Sequence, residues 1–345
     1  MRRRLFKKRP LPLRPVIVLS VAALFVATEP RIHAQRPSAT TIKVRTMPYL
    51  TFSVFQLAQH EGLFAQQGLT AEFIDMDSSA PAIPALARGD LDVLPAVMSP
   101  ALFNAIVRGA EIRMVAAASE LTQGSCTTTA IVANHSIAAS GRLASAAGWR
   151  NLRIAGSRAP FSGFLLDKVL KPMGVNEDQL MHVDVPDQIE ADTIRTGRAD
   201  LGIMSEPWLT RALAANDVTL WRSMQDVAPG FQYTVVLYGP TLLKTHRDVG
   251  QRFMSAYLEA IRRFDQGKTP RNLELVASAT GLDHNLLSRA CWPTVRANAA
   301  VNTAGALEFQ SWAGDRGLVD RQLPLTSFYD PSFSDTARQA AGFLR

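Results

Sequence analysis

What most constrains this chain is one punctuation pattern used twice. A strand signal over 42–46 leads through the loop 47–53 into a helix over 54–61 stopped by Gly62. A strand over 69–74 follows, then the loop Asp77-Ser78-Ser79, a helix over 81–88 stopped by Gly89, and a strand over 93–97 that ends at Ser99-Pro100. About 110 residues later the same order returns: strand 152–155, loop 156–160, helix 161–173 before Gly174, strand 181–185 and the loop Pro186-Asp187. It closes with helix 188–196 and with Gly197-Arg198-Ala199-Asp200 turning into strand 201–204, which ends at Ser205-Glu206-Pro207. Each unit has the length of a βαβ crossover, a connection that lays strands parallel and puts helices on the sheet faces. Two such mostly parallel sheets predict an α/β protein of two lobes. The roughly 310 residues beyond the leader also exceed what one compact core usually holds.

The helices carry the spacing to bury one face. Phe161, Phe164, Leu165, Val169 and Leu170 recur at helical steps; such a stripe is core packing, with Phe161 the exception because it opens its helix. A β-rich run over 127–133 lies between the units and another over 232–238 follows the second. One leaves the first lobe and one returns to it, which makes a two-stranded hinge. Everything beyond Tyr238 is then expected to rejoin the first lobe, as helices over 249–264, 272–279, 284–291, 304–313 and 334–344. The expected organisation is a leader over 1–34, a first lobe of 35–130 and 233–345, and a second lobe of 131–232.

The leader decides how charge is read. Arg2, Arg3, Arg4, Lys7, Lys8, Arg9 and Arg14 form a basic head, and residues 16–27 an apolar run that ends before Ile32-His33-Ala34-Gln35. That is the layout of an export signal cleaved after Ala34 into the periplasm. The run is too short to span a bilayer comfortably, so no membrane insertion is expected after its removal. Arg3-Arg4-Leu5-Phe6 also resembles the core of a twin-arginine signal without its usual flanks, which leaves both export routes open. The leader holds eight of the 37 Lys and Arg but one of the 30 Asp and Glu, leaving 29 of each in the mature chain. The pI of about 9.7 therefore belongs to targeting, and a neutral mature chain argues against nucleic acid or anionic membrane as partner. Neither Cys126 nor Cys291 sits where a lipid anchor would attach. An oxidising compartment permits a bridge between them, and the spacing does not decide between a bridge and two buried thiols.

In parallel α/β sheets the strand C-terminal ends and the helix N-termini after them share one crevice, where small ligands bind. This rule selects Tyr49, Thr51, Ser78, Ser79, Ser99 and Ser119 in the first lobe. In the second it selects Ser157, Arg158, Phe161, Ser162, Asp187, Glu206 and Trp208, with Phe231 beside the return strand. Hydroxyls at helix starts are ordinary N-caps. Their convergence from both lobes is what points to a ligand, because several positively poled helix ends aimed at one cleft suit a carboxylate, sulfonate or phosphate. Tyr49, Phe161, Trp208 and Phe231 can clamp a planar or apolar body. Glu206 favours an amine or donor instead, or serves its own helix start, and Arg158 either pairs with an anion or lies solvated.

The stretches Leu57-Ala58-Gln59-His60-Glu61-Gly62-Leu63-Phe64 with Gly68-Leu69, Ala85-Leu86-Ala87-Arg88-Gly89-Asp90-Leu91-Asp92-Val93, and Ala105-Ile106-Val107-Arg108-Gly109 carry a resemblance, continued by Glu206-Pro207, Gly239-Pro240, Trp312 and Asp330-Pro331-Ser332-Phe333. Over roughly residues 42–333 the chain resembles the nitrate/sulfonate/taurine-type substrate-binding proteins of ABC importers. The resemblance implies a type II periplasmic-binding-protein fold that closes on its ligand like a hinged trap and docks, as a monomer, on an ABC permease and its ATPase. The family's ligands range over sulfonates, nitrate, pyrimidine precursors and aromatic acids. A sensor for a membrane receptor would share every residue named so far. An enzyme of the same fold acting on a pyrimidine-like or aromatic substrate is the other rival, but the sequence has no Gly-x-Ser-x-Gly elbow and no glycine-rich phosphate loop. His60, His135, His182, His246 and His284 lack metal-ligand spacing, so no catalytic residue, metal or cofactor is expected.

Overall fold

The computed structural model describes residues 39–47, 49–76, 79–156 and 158–342, without the side chains of Ser79 and Ala80. The expected leader, Ser78 and Ser157 lie outside the described residues. In the remainder, strands β1 (Thr40–Thr46), β2 (Leu69–Asp75), β3 (Val93–Val97) and β4 (Arg113–Leu121) precede the first crossing. Strands β5 (Thr129–Ala133), β6 (Arg153–Ala155), β7 (Met181–Val183), β8 (Leu201–Ser205) and β9 (Thr219–Ser223) follow it, and β10 (Phe231–Tyr238) comes last. They form two five-stranded sheets of order β2-β1-β3-β10-β4 and β7-β6-β8-β5-β9.

The repeat read from the sequence is the parallel triad of each sheet: β2-β1-β3 in one, β7-β6-β8 in the other. Each sheet is nevertheless mixed, because β10 runs antiparallel to β3 and β4, and β5 antiparallel to β8 and β9. Strands β4 and β9 carried no signal in the punctuation pattern. β5 is buried along its whole length, which fits a central strand with both faces covered. The two β-rich runs read as the hinge, one leaving the first lobe and one returning to it, are β5 and β10; each is a member of one sheet, and the chain crosses between the sheets just before them, in the short segments 122–128 and 224–230. β1 and β3 pair at Val44 and Val93 alone. Pro95, two residues further on, therefore costs no ladder bond to β1.

The helix Arg247–Phe264 packs on the helix Ser53–His60 of the first lobe, with Phe55 stacked on Tyr257 at 4.7 Å, and on the short helix Leu63–Gln66 after it, with Phe64 on Phe253 at 5.0 Å. The helix Thr303–Asp315 does not rejoin the first lobe alone. Its Phe309 meets Phe103 of the first lobe at 6.4 Å and Phe164 of the second at 5.4 Å. On the second-lobe helix Pro160–Leu170, Asp167 accepts a bond from Trp312 Nε1 at 2.7 Å and pairs with Arg316 at 2.6 Å. Cys126, in the first crossing, is disulfide-bonded to Cys291. Among the described residues no helix is long and apolar enough to cross a membrane.

Candidate functional site

A cavity of about 630 Å³ lies between the two sheets, where their strand C-terminal ends meet. From the first lobe come Arg45 on β1, the Tyr49–Phe52 turn, and Ser99 with the start of the helix Pro100–Val107. From the second come the start of the helix Pro160–Leu170, Asp187 and Glu190 on the helix Asp187–Arg195, Ser205 at the end of β8 and Glu206 just beyond it. Two of the helices, Pro100–Val107 and Pro160–Leu170, begin with proline and have no side-chain cap. Their first-turn N–H groups and positive poles therefore remain available at the cavity wall.

The lobes touch directly across this cavity. Tyr49 Oη donates to Asp187 Oδ2 at 2.6 Å. Burial, and then the Asp187 charge, push the Tyr49 phenol well above its ordinary range, so it stays a donor. Behind Thr51 three hydroxyls bond one another: Thr51 to Ser119 at 2.6 Å, Thr51 to Thr234 at 3.1 Å, and Ser119 to Thr234 at 2.7 Å. The Arg45 guanidinium is 1 % exposed, donates from Nη1 to the Pro95 carbonyl at 3.1 Å and from Nη2 to the Met76 carbonyl at 3.0 Å, and lies over the Phe52 ring. It is a fixed positive charge in the first-lobe wall.

The sequence-selected residues divide by depth. Tyr49, Thr51, Ser99, Arg158, Phe161, Ser162 and Glu206 line the cavity. Ser119 and Phe231 stand in the layer behind it, Ser119 under Thr51, and Phe231 against Phe161 at 5.8 Å and Phe164 at 4.7 Å. Trp208 opens the helix Trp208–Ala214 but turns to Arg211, whose guanidinium lies 4.6 Å above its ring, and it does not line the cavity. The aromatic wall is Tyr49, Phe52, Phe161 and Tyr233. Phe161 packs on Tyr233 at 4.8 Å.

Glu206 is 5 % exposed and its bonds are committed: Thr210 Oγ1 donates at 2.7 Å, the Thr210 N–H at 3.1 Å, and the Cys291 N–H at 2.9 Å. It serves its own helix start and reaches across to Cys291, which leaves little of it for an amine. Burial still raises it above the ordinary glutamate range. Loop-based reading missed Arg45, Glu190 and Tyr233. Arg45 and Tyr233 lie on strands and Glu190 one turn inside a helix, places where the rule about strand ends and helix starts does not look.

The sequence model of the family described as NMT1/THI5 like matches residues 50–264. Among solved structures, the periplasmic aliphatic sulphonate binding protein SsuA from Escherichia coli is 16% identical with a TM-score of 0.68, covering 87% of this chain and 99% of that one. The periplasmic nitrate-binding protein NrtA from Synechocystis PCC 6803 is 12% identical with a TM-score of 0.71, covering 88% of this chain and 89% of that one. The ligand binding component of an ABC-type import system from Staphylococcus aureus, with zinc bound, is 14% identical with a TM-score of 0.71, covering 86% and 99%. At these identities the likeness is one of fold, the two-lobed fold of periplasmic binding proteins. No curated protein sequence matches the chain.

Proposed function

The chain belongs to the NMT1/THI5-like family, and from that premise we propose that it is an exported, periplasmic substrate-binding protein of an ABC importer. It captures a small, acid-group-bearing organic molecule between its lobes and hands it to the permease. The observation that carries this reading is the Tyr49–Asp187 bond over a cavity lined from both lobes: a ligand there touches both lobes and so favours the closed state. Uncapped helix starts and the Arg45 guanidinium supply positive potential for an acid group, and the largely apolar wall suits an organic body. The sulphonate and nitrate binding named for the similar structures agrees with that class of ligand.

The lobe boundaries proposed are 35–130 with 233–345 against 131–232, although the helix Thr303–Asp315 serves both sides. Binding rather than chemistry fits the site, since both cysteines are joined in a disulfide and Glu206 is held by three donors. A thermal-shift screen of the protein from Gln35 onward against alkyl and aryl sulfonates, aromatic carboxylates, nitrate and amines tests the reading. Acids are expected to raise the melting temperature, and capture of a permease–ATPase pair by the loaded protein tests delivery. Stabilisation by amines alone would refute the ligand class.

A further inference from the structure

Within the second-lobe wall, Glu190 presents a carboxyl for which the fold itself has no use. The residue is 2 % exposed, and its Oε1 is buried with no hydrogen-bond partner among the described residues. Buried polar atoms left this way are costly, and in native proteins they call for an explanation. The backbone around it is bare: a Cβ at Gly156 would stand 3.5 Å from Oε1, and one at Gly202 only 2.1 Å. Gly156 and Glu190 both line the cavity. A side chain at Gly156 would lie against the carboxyl at the cavity wall.

We propose that Glu190 is the residue by which the second lobe selects its ligand, its neutral carboxyl donating a hydrogen bond to an anionic oxygen of the bound acid. The inference rests on the binding reading above and names the group that enforces it. The neutral acid follows from the surroundings. Burial, and after it the Asp187 charge, drive the carboxyl well above the ordinary glutamate range. Arg45 and Arg158 line the same cavity, but among the described residues no counter-charge from the elements packed on this helix offsets them. β8 carries no titratable side chain, and Arg153 on β6 is committed to Asp200 at 2.8 Å. Arg211 on the helix Trp208–Ala214 lies over Trp208, and His182 faces Glu177 at 3.3 Å. On its own helix, Arg195 is paired with Asp192. From the first lobe come the phenols Tyr49 and Tyr233; the Tyr49 hydroxyl occupies Asp187 Oδ2, which turns the nearest carboxylate away from a ligand acid.

The test compares wild type with Glu190→Gln, whose amide can also donate, using benzenesulfonate, benzoate and propanesulfonate as acid probes and benzamidine as a cationic one. At pH 7 an acid probe is expected to raise the melting temperature of both proteins. By calorimetry, its affinity for wild type falls about tenfold once the pH is high enough to ionise the Glu190 carboxyl, the size of one charge-assisted hydrogen bond, and for E190Q by less than about twofold over the same range. In the ligand-free wild type, the ¹³C shift of the Glu190 carboxyl is that of a neutral acid at pH 7. Loss of acid binding in E190Q at pH 7, an ionised carboxyl in the ligand-free protein, or benzamidine binding that only wild type shows would each overturn the role of Glu190 while leaving a binding protein. If no acid probe binds wild type, the ligand class proposed above fails and this inference falls with it.

Discussion

Tyr49 and Asp187, 138 residues apart in sequence, meet across the cleft in a 2.6 Å hydrogen bond to a carboxylate. Tyr49 follows the first strand of the first lobe and Asp187 opens a helix of the second, so the bond exists only when the lobes are together. Replacing Tyr49 by Phe removes the hydroxyl and keeps the ring against the cavity. The loss of one bond to a charged group, about 1.5–3 kcal/mol, is expected to weaken ligand affinity about tenfold to a hundredfold. It should also enlarge the ligand-free radius of gyration by scattering. Unchanged affinity would mean that the contact follows closure without favouring it.

Glu206 ties the second-lobe helix start at Thr210 to the Cys291 backbone. Its folded-state proton affinity is raised by burial despite three donors. Between the ordinary glutamate value and that raised value the folded protein holds more proton than the unfolded chain. Stability from this group therefore falls as pH rises through the window and levels off above it, opposite to a salt-bridged carboxylate. Glu206→Gln should flatten that slope. It should also cost about 1–3 kcal/mol at acidic pH, because an amide N–H₂ would face N–H donors. Urea denaturation from pH 4 to pH 8 measures both effects; Glu190 adds a slope of the same sign, which E190Q removes separately.

The Cys126–Cys291 bond closes a loop of 165 residues and anchors the first crossing beside Glu206. Loop closure of that length restricts the unfolded chain, an effect of about 2–5 kcal/mol. Reduction, or paired serine substitution, is expected to lower the melting temperature by several degrees and to leave the neutral-pH fold intact by circular dichroism. A melting temperature insensitive to reductant would show that the constraint is matched in the reduced state.

Much of this architecture was legible because Gly62, Gly89, Gly174 and Gly197 punctuate the two halves in the same order, and chain stops of that kind are local chemistry. β4 escaped notice because its buried run Met114–Ala118 is apolar without alternation, a pattern shared by buried helices and strands. Both β-rich runs are strands, but the sheet each one joins is a tertiary choice that strand propensity does not encode. In the site, hydroxyls at strand ends were found and Glu190 was not, because an acidic residue one turn into a helix reads as an ordinary solvated position. The room its carboxyl occupies is left by Gly202 on β8 and Gly156 just beyond β6, far from it in sequence. Trp208 was overvalued for the converse reason: adjacency to Glu206 in sequence says nothing of direction, and its ring faces Arg211. Trp208→Ala is accordingly expected to change affinity for any acid probe less than about twofold, the range of a surface substitution. A tenfold loss would return it to the site.

Phe164 sits where both lobes and the helix Thr303–Asp315 converge, with ring centroids 4.7 Å from Phe231, 5.4 Å from Phe309 and 5.5 Å from Trp312. It does not line the cavity, so truncation reports on lobe coupling and not on ligand contact. Phe164→Ala should cost about 3–5 kcal/mol, the usual effect of emptying a buried aromatic site. Because Phe161, which does line the cavity, packs against the same rings at 6.4 Å from Phe164, the vacancy should also loosen the cavity wall. The expected signature is a lower denaturation midpoint together with weaker ligand binding that Phe164→Leu largely restores. Lost stability with undiminished affinity would show that this cluster holds the lobes together without shaping the space between them.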